Sequence, residues 1–176
     1  MEFSVCPRQP TIRINSLSLS NFSVSETKLA AVWIANLTVF NPSIALRISI
    51  DEIESSILYR EDNPLSITSV NGFHLGLREK KVMQIKFQTT GWEGDQPIVE
   101  YPVLREIGGD RRRGTVPFSL RMTMWGTNGG GLLRWSRPVL VNSYCSVLDV
   151  GMLAGTGKGT LTVDGPTNCL AMMLLD

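Results

Sequence analysis

Apolar and polar residues alternate along most of this chain, with a period of two far more often than 3.6. The first example is TIRINSLSLSNFSVS, residues 11–25, where the alternation slips once at Asn15 and Ser16. Such a slip moves side chains to the other face of a strand, so it predicts a β-bulge. The other runs that we interpret as strands are residues 28–40, 44–60, 64–70, 73–90, 115–125, 138–150 and 159–163.

Turn-forming residues separate these runs. They are Asn41-Pro42, Asp62-Asn63-Pro64, Asn71-Gly72 and Asn128-Gly129-Gly130-Gly131. Because Asn71-Gly72 lies between two alternating runs, it predicts a hairpin. Residues 96–107 form the one candidate for a short helix, although Pro102 lies in its interior. Seven or eight short strands at this spacing predict an all-β fold with a minor helical part, an antiparallel sandwich or barrel.

The run AAVWIANLTVFNPS, residues 30–43, predicts where the core lies. In a strand Trp33, Leu37 and Val39 point to one face, whereas Asn36 and Thr38 point to the other. We expect the first face to be buried. The residues predicted to share one core are Trp33, Leu37, Val39, Ile57, Phe87 and Phe118.

Composition indicates one globular domain in 176 residues, 43% of them hydrophobic and 19% charged. A formal net charge of +1 gives no electrostatic reason to expect nucleic acid as a partner.

No stretch reaches the roughly 20 apolar residues that span a bilayer. The amino end, MEFSVCPRQP, has no signal-peptide pattern, so the chain as it stands is predicted to be soluble. Arg111-Arg112-Arg113 lies between glycines and predicts a solvated loop.

Candidate chemistry is sparse. His74 is the single histidine and has no nucleophile near it in sequence, and the three cysteines, at 6, 145 and 169, lack the close pairs of a zinc site. The stretch GTGKGT, residues 155–160, has Gly159 where a phosphate loop has Ser or Thr after the lysine, so Lys158 is assigned to a hairpin tip. Glu52 and Glu54 are assigned to the wet face of a strand. We therefore predict no catalytic, cofactor-binding or metal-binding residues, and a protein that is not an enzyme.

Two N-glycosylation sequons are present, Asn21-Phe22-Ser23 and Asn36-Leu37-Thr38. Val32, Ile34 and Phe40 share the face of Asn36, so the exposure of that asparagine stays open. Both sequons matter only if the chain enters the secretory pathway.

Five segments, taken in order, resemble one plant family. They are RQPTIRINSLSLSNFSVS, LTVFNPSIALRISIDEIESSILYRE, GTVPFSL, SYCSVLDV and GTLTVDGPTNCLAMML. They resemble the harpin-induced and non-race-specific disease-resistance-like family, whose domain is the group-two late embryogenesis abundant domain, also called the water-stress and hypersensitive-response domain. The resemblance covers residues 8 to 175. It implies a fibronectin-type-III-like β-sandwich over residues 11–176, after a flexible juxtamembrane-like arm at residues 1–10.

The resemblance also implies a setting. Members of this family are membrane proteins with this domain on the outer face of the plasma membrane, after one membrane-spanning helix. The function expected is a non-enzymatic role in the defence (hypersensitive) response or in cell-surface interaction, with an unknown protein partner. The upstream helix is missing from this chain, and without it the location would be cytoplasmic. The alternative function is a soluble stress- or desiccation-protective domain, or one that binds a small apolar ligand.

Cysteine pairing is a further implication of the resemblance. In the family that the chain resembles, the corresponding strands carry cysteines at the places of Cys145, in VNSYCSVLDV, and Cys169, in NCLAMMLL. We expect these two to form a disulfide when the domain lies outside the cell, leaving Cys6 free or paired between chains. The alternative is three reduced thiols in a cytosolic protein.

Overall fold

Antiparallel strands make up most of the residues that the structure, a computed structural model, describes: 8–89, 96–130 and 135–175. The elements are β1 (Thr11–Val24), β2 (Leu29–Phe40), β3 (Leu46–Tyr59), β4 (Asn63–Leu75), β5 (Lys80–Thr89), α1 (Tyr101–Arg113), β6 (Thr115–Gly130), β7 (Trp135–Met152), β8 (Gly159–Leu161), β9 (Thr167–Asn168) and β10 (Leu170–Leu175). The predicted class, an antiparallel β-sandwich with one short helix, is confirmed. The predicted bulge is also present, as a register shift between Ile14 and Ser16.

The strands follow one path, in the order β4-β3-β6-β7-β8-β1-β2-β5, with β9 paired to β1 and β10 paired to β7. This path curls back so that its two ends, β4 and β5, lie side by side. At this seam the Ser66 hydroxyl donates to the Gln88 carbonyl at 3.2 Å. The side-chain amide of Gln96 acts as a strand partner for β4, since it accepts from the Ile67 N–H and donates to the Ile67 carbonyl, both at 3.0 Å.

The interior contains every residue that the alternation assigned to the core: Trp33, Leu37, Val39, Ile57, Phe87 and Phe118 are at most 2% exposed. Trp33 of β2 meets Phe118 of β6 edge-to-face, with ring centroids 5.6 Å apart. This contact joins strands from opposite sides of the curled sheet. The indole N–H of Trp33 has no hydrogen-bond partner among the described residues, so its contribution is one of packing.

Two predicted turns lie inside strands instead. The hairpin predicted at Asn71-Gly72 is wrong, because β4 continues through both residues and the chain turns at 76–79, between β4 and β5. Gly72 is required by close packing, since a Cβ there would lie 1.9 Å from the Ile50 carbonyl oxygen of β3. Residues 128–130, also predicted as a flexible turn, pair with β3 and β7 at the end of β6.

The helix lies further along the chain than predicted. Residues 96–100 are not helical, and α1 runs from Tyr101 to Arg113. Pro102 therefore sits in the first turn, where its missing N–H removes no helical bond. The three arginines at 111–113, predicted as a solvated loop, form the last helical turn, where positive charge is favourable, and Gly114 ends the helix in the left-handed region at φ 98°.

A buried carboxylate anchors α1 to the sheet. Asp110 of α1 accepts a hydrogen bond from the Tyr59 hydroxyl and an ion-paired one from Arg113 at 2.5 Å. Arg60 lies 3.8 Å from the same carboxylate and 3.5 Å from that of Glu106. Burial of the phenol, followed by its bond to the Asp110 carboxylate, raises the pKa of Tyr59 to about 12.

We predict that Trp33→Ala lowers the free energy of unfolding by roughly 3–5 kcal/mol, because it leaves a cavity between the two sides of the sheet. Urea unfolding measures this loss. Trp33→Phe should cost well under half as much, since no indole hydrogen bond is lost. An alanine variant that loses less than about 1 kcal/mol would contradict the assigned core.

We also predict that alkaline pH weakens the anchor of the helix. The pKa of Tyr59 is raised in the folded state, so its contribution is complete below the unfolded value near 10 and is lost as the pH rises through about 12. The loss should be on the order of 2 kcal/mol in unfolding experiments across that window. Tyr59→Phe should lack this step, and parallel losses in the two proteins would contradict the assignment.

Candidate functional site

Cys145 of β7 and Cys169, which precedes β10, are joined by a disulfide with their Cα atoms 4.4 Å apart. The expected pair is therefore brought together, whereas Cys6 lies outside the described residues. Cys145 is buried at 1% exposure. Next to the bridge, the Cys169 N–H donates to the Ile12 carbonyl of β1 at 2.8 Å. The bridge thus fixes the point at which the chain changes from pairing with β1, through β9, to pairing with β7, through β10.

Strand β10, which follows the bridge, presents apolar side chains to solvent. Leu170, Met172 and Leu174 are 74%, 59% and 47% exposed. They pair with Tyr144, Asn142 and Leu140 of β7, and Trp125 of β6 pairs with Leu140 in turn. Paired residues share a face of the sheet, so these side chains form one continuous surface. We define this apolar band as Trp125, Leu140, Tyr144, Leu170, Met172 and Leu174.

Charged residues border the apolar band on the same face. Arg121 lies over the Tyr144 ring, with its guanidinium carbon 6.0 Å from the ring centroid. Glu52 and Glu54 of β3, the predicted wet-face carboxylates, are exposed beside Trp125 and Thr123. An apolar patch with a Trp, a Tyr and a Met inside a charged rim has the composition of a protein interface.

The two sequons have different surroundings. Asn21 is exposed in the register shift of β1, has a positive φ of 51°, and its side chain makes no hydrogen bond within the described residues. Asn36 is half-buried, and its Nδ2 donates to the Ser16 hydroxyl at 2.8 Å while its Oδ1 accepts from Gln84 at 3.1 Å. Glycosyl transfer needs a free Asn nitrogen, so the structure favours Asn21.

Thr38, the third residue of the second sequon, is also engaged: its hydroxyl accepts from the Asn15 amide at 2.8 Å. The alternation placed Asn36 and Thr38 on one face but not the polar partners that cross to them from β1 and β5. Those partners depend on strand order, which the spacing of residues did not supply.

The remaining predicted positions occupy ordinary places. Lys158 lies in the turn between β7 and β8, where its carbonyl accepts from the Leu153 N–H at 2.9 Å, as predicted for a hairpin tip. His74 is exposed on β4, and its Nδ1 lies 2.8 Å from the Ser49 hydroxyl. His74 and Ser49 border a groove of about 370 Å³ that Arg47, Gly76 and residues of β6 also line.

A further surface, which the sequence analysis did not identify, lies at the end of the sandwich where β1 begins. Strand pairing brings Thr11, Phe40 and Lys80 together there, and likewise Leu46, Gly130 and Trp135. We define the basal end as residues 8–11, 40–47, 75–81, 128–130 and 135–138.

Buried Asn41 holds the two loops of the basal end together. Its Nδ2 donates to the carbonyls of Leu46 at 2.9 Å and Gly76 at 3.0 Å, and its Oδ1 accepts from the Ser43 N–H at 3.1 Å. The backbone N–H of Asn41 donates in turn to the Glu79 carbonyl at 2.9 Å. The Asn-Pro sequence, which predicted only the end of a strand, therefore locks loop 41–45 to loop 76–79.

Within the described ranges no helix is both long and apolar enough to span a bilayer. No group of His, Cys, Asp and Glu side chains in that part of the chain is placed to bind a metal. No model of a known protein family matches the sequence, and no curated protein does either.

We predict that a chain directed through a eukaryotic secretory pathway carries a glycan at Asn21 and little or none at Asn36. Asn21→Gln should abolish the shift in gel mobility that N-glycan removal causes. Asn36→Gln should keep it, as should the control Asn142→Gln, an exposed asparagine outside any sequon. Equal occupancy at Asn36 would show that its side-chain bonds do not protect it.

Proposed function

We propose that this chain is a non-enzymatic interaction domain of a plasma-membrane-associated plant protein, which binds a protein partner on the outer face of the cell. The observation that carries this proposal is the apolar band on a strand held by a disulfide. Leu170, Met172 and Leu174 alternate with the half-buried Ala171 and Met173, which pack against the core. The inward residues account for the fold, and the outward ones are left for a partner.

The disulfide supports a location outside the cytosol. Disulfides persist in oxidising compartments and are rare where glutathione keeps thiols reduced. The bridge lies directly beside the apolar band, since Tyr144 precedes Cys145, Leu170 follows Cys169, and the two are paired. An oxidising environment would therefore stabilise the surface proposed for binding as well as the fold.

The biological process comes from the resemblance to the harpin-induced and non-race-specific disease-resistance-like family. This resemblance implies a role in the hypersensitive defence response. It also implies that an upstream helix attaches the domain to the membrane. In this proposal the apolar band is the contact for the protein partner, and Arg121, Glu52 and Glu54 at its rim select the partner's charge.

The test uses the full chain, labelled and with its disulfide intact, applied to plant protoplasts. Binding is measured by flow cytometry before and after mild protease treatment of the cells. We predict that Met172→Glu lowers binding at least tenfold, because it places a charge at the centre of the apolar band. Val163→Glu is the matched control: Val163 is also exposed, at 62%, but it lies outside the band.

Protease treatment separates a protein partner from lipid. A loss, after treatment, of the part of wild-type binding that Met172→Glu lacks supports a protein partner, and no change in that part contradicts it. Equal binding by Met172→Glu and wild type would remove the apolar band from the proposal. The same variants, secreted in leaves, should differ in hypersensitive ion leakage in the order of their binding.

A further inference from the structure

The basal end carries an excess of positive charge, although the whole chain has a net charge of only +1. Its acidic residue is Glu79. Its basic residues are Arg8, Arg47, Arg78, Lys80, Lys81 and Arg137. The basal end thus holds six of the 17 basic residues of the chain and one of its 16 acidic residues, so the rest of the chain is net negative. The charge of the molecule is therefore unevenly distributed, with the positive excess at the basal end.

Two aliphatic side chains project from this basic end. Ile44, in loop 41–45, is 79% exposed, and Leu77, in loop 76–79, is 42% exposed. The Arg78 N–H donates to the Ser43 carbonyl at 3.2 Å, so the residues next to both tips are bonded to each other. With Asn41 locking the same loops, the two aliphatic tips are held side by side. Neither tip is buried in the core, so the fold does not account for them.

We propose that the basal end docks on the surface of an anionic lipid bilayer. Ile44 and Leu77 would enter the boundary between headgroups and acyl chains, while Arg47, Arg78 and Lys80 contact lipid phosphates. Interfacial binding of proteins combines these two elements, apolar groups that enter the boundary and cations that meet anionic headgroups. None of these three cations forms an ion pair with an acidic group among the residues described.

The 370 Å³ groove adds a place for a headgroup. It is bordered by Arg47, Ser49, His74 and Gly76, and Gly76 directly precedes the Leu77 tip. The guanidinium of Arg47 and the Ser49–His74 pair are donors of the kind that phosphate oxygens accept. A phosphate held there would lie beside the aliphatic tips.

The aliphatic tips are what favour a bilayer over a polyanion such as RNA or an acidic polysaccharide. A polyanion would contact the cations alone, whereas a membrane would interact favourably with both the cations and the aliphatic tips. This inference uses none of the residues of the apolar band, so it stands or falls separately from the protein partner proposed above.

The test measures co-sedimentation of the full, disulfide-intact chain with lipid vesicles. Phosphatidylcholine vesicles are compared with vesicles that also contain phosphatidylserine. We expect binding to the mixed vesicles, weakened by high salt and much lower on phosphatidylcholine alone. The double variants Ile44→Ser/Leu77→Ser and Arg47→Glu/Lys80→Glu should each reduce binding by about tenfold or more.

Matched controls place the same changes elsewhere. Ile98→Ser/Val163→Ser removes two aliphatic groups that are 83% and 62% exposed, and Arg105→Glu/Arg112→Glu reverses two exposed charges of α1. Both should bind vesicles like wild type, as should Met172→Glu. Every altered side chain is exposed, and thermal unfolding confirms that each variant is folded.

A second readout reports insertion directly. Ile44→Trp should show a blue shift in fluorescence on mixed vesicles and quenching by brominated lipid. The proposal is overturned if wild type does not prefer the mixed vesicles, or if the serine variant at Ile44 and Leu77 binds unchanged. It is also overturned if RNA or polygalacturonate binds as tightly as vesicles and Ile44→Trp shows no insertion.

Discussion

The packing of Trp33 against Phe118 is the contact on which the remaining structure depends. It joins β2 to β6, two strands that are far apart in the path of the sheet, and it lies where both side chains are at most 1% exposed. A sheet of long strands must bury one face to be stable, and this chain does so by curling until that face meets itself. Once curled, the outer face and the two ends are what remain for contacts with other molecules.

The carboxyl-terminal part of the chain adds short strands to the outside of this closed core. Strand β9 pairs with β1, β10 pairs with β7, and the bridge between Cys145 and Cys169 fixes the crossing between them. Strand β10 lies outside the main path, and it packs Ala171 and Met173 against the core while its alternate side chains face outward. The apolar band and the basal end therefore consist of different residues of the same sheet.

The alternation of residues was enough to predict the class of fold and the buried face of β2, because burial of one face is a local pattern with a period of two. It was not enough at Gly72 or at residues 128–130. Gly72 allows the close approach of β3, and residues 128–130 pair with β3 and β7, yet in both places the sequence looks the same as that of a turn. The arginines at 111–113 were assigned to a loop, whereas they end α1, which is anchored to the sheet by the bond between Asp110 and Tyr59, 51 positions apart.

The candidate surfaces also differ in whether the sequence or only the fold reveals them. Cys145 and Cys169 were paired through the resemblance, and the sequons were read directly from three residues each. The basal end could not be found that way, because Ile44 and Leu77 come together only when Asn41 bonds to Gly76, 35 residues away. An exposed aliphatic residue in one loop is common. It indicates a binding surface only when a second loop places another aliphatic residue beside it.

The amide of Gln96 has a consequence for how copies of this chain meet. It occupies the backbone groups of Ile67 at the seam, so an incoming strand finds no donor and acceptor there. Among the residues described, no side chain occupies the outer edge of β10 as Gln96 occupies Ile67. The sequence of β10, LAMMLL, also has no charged residue that would oppose pairing with an added strand. The seam therefore resists strand addition at Ile67, whereas β10 lacks the charged side chains that would oppose it.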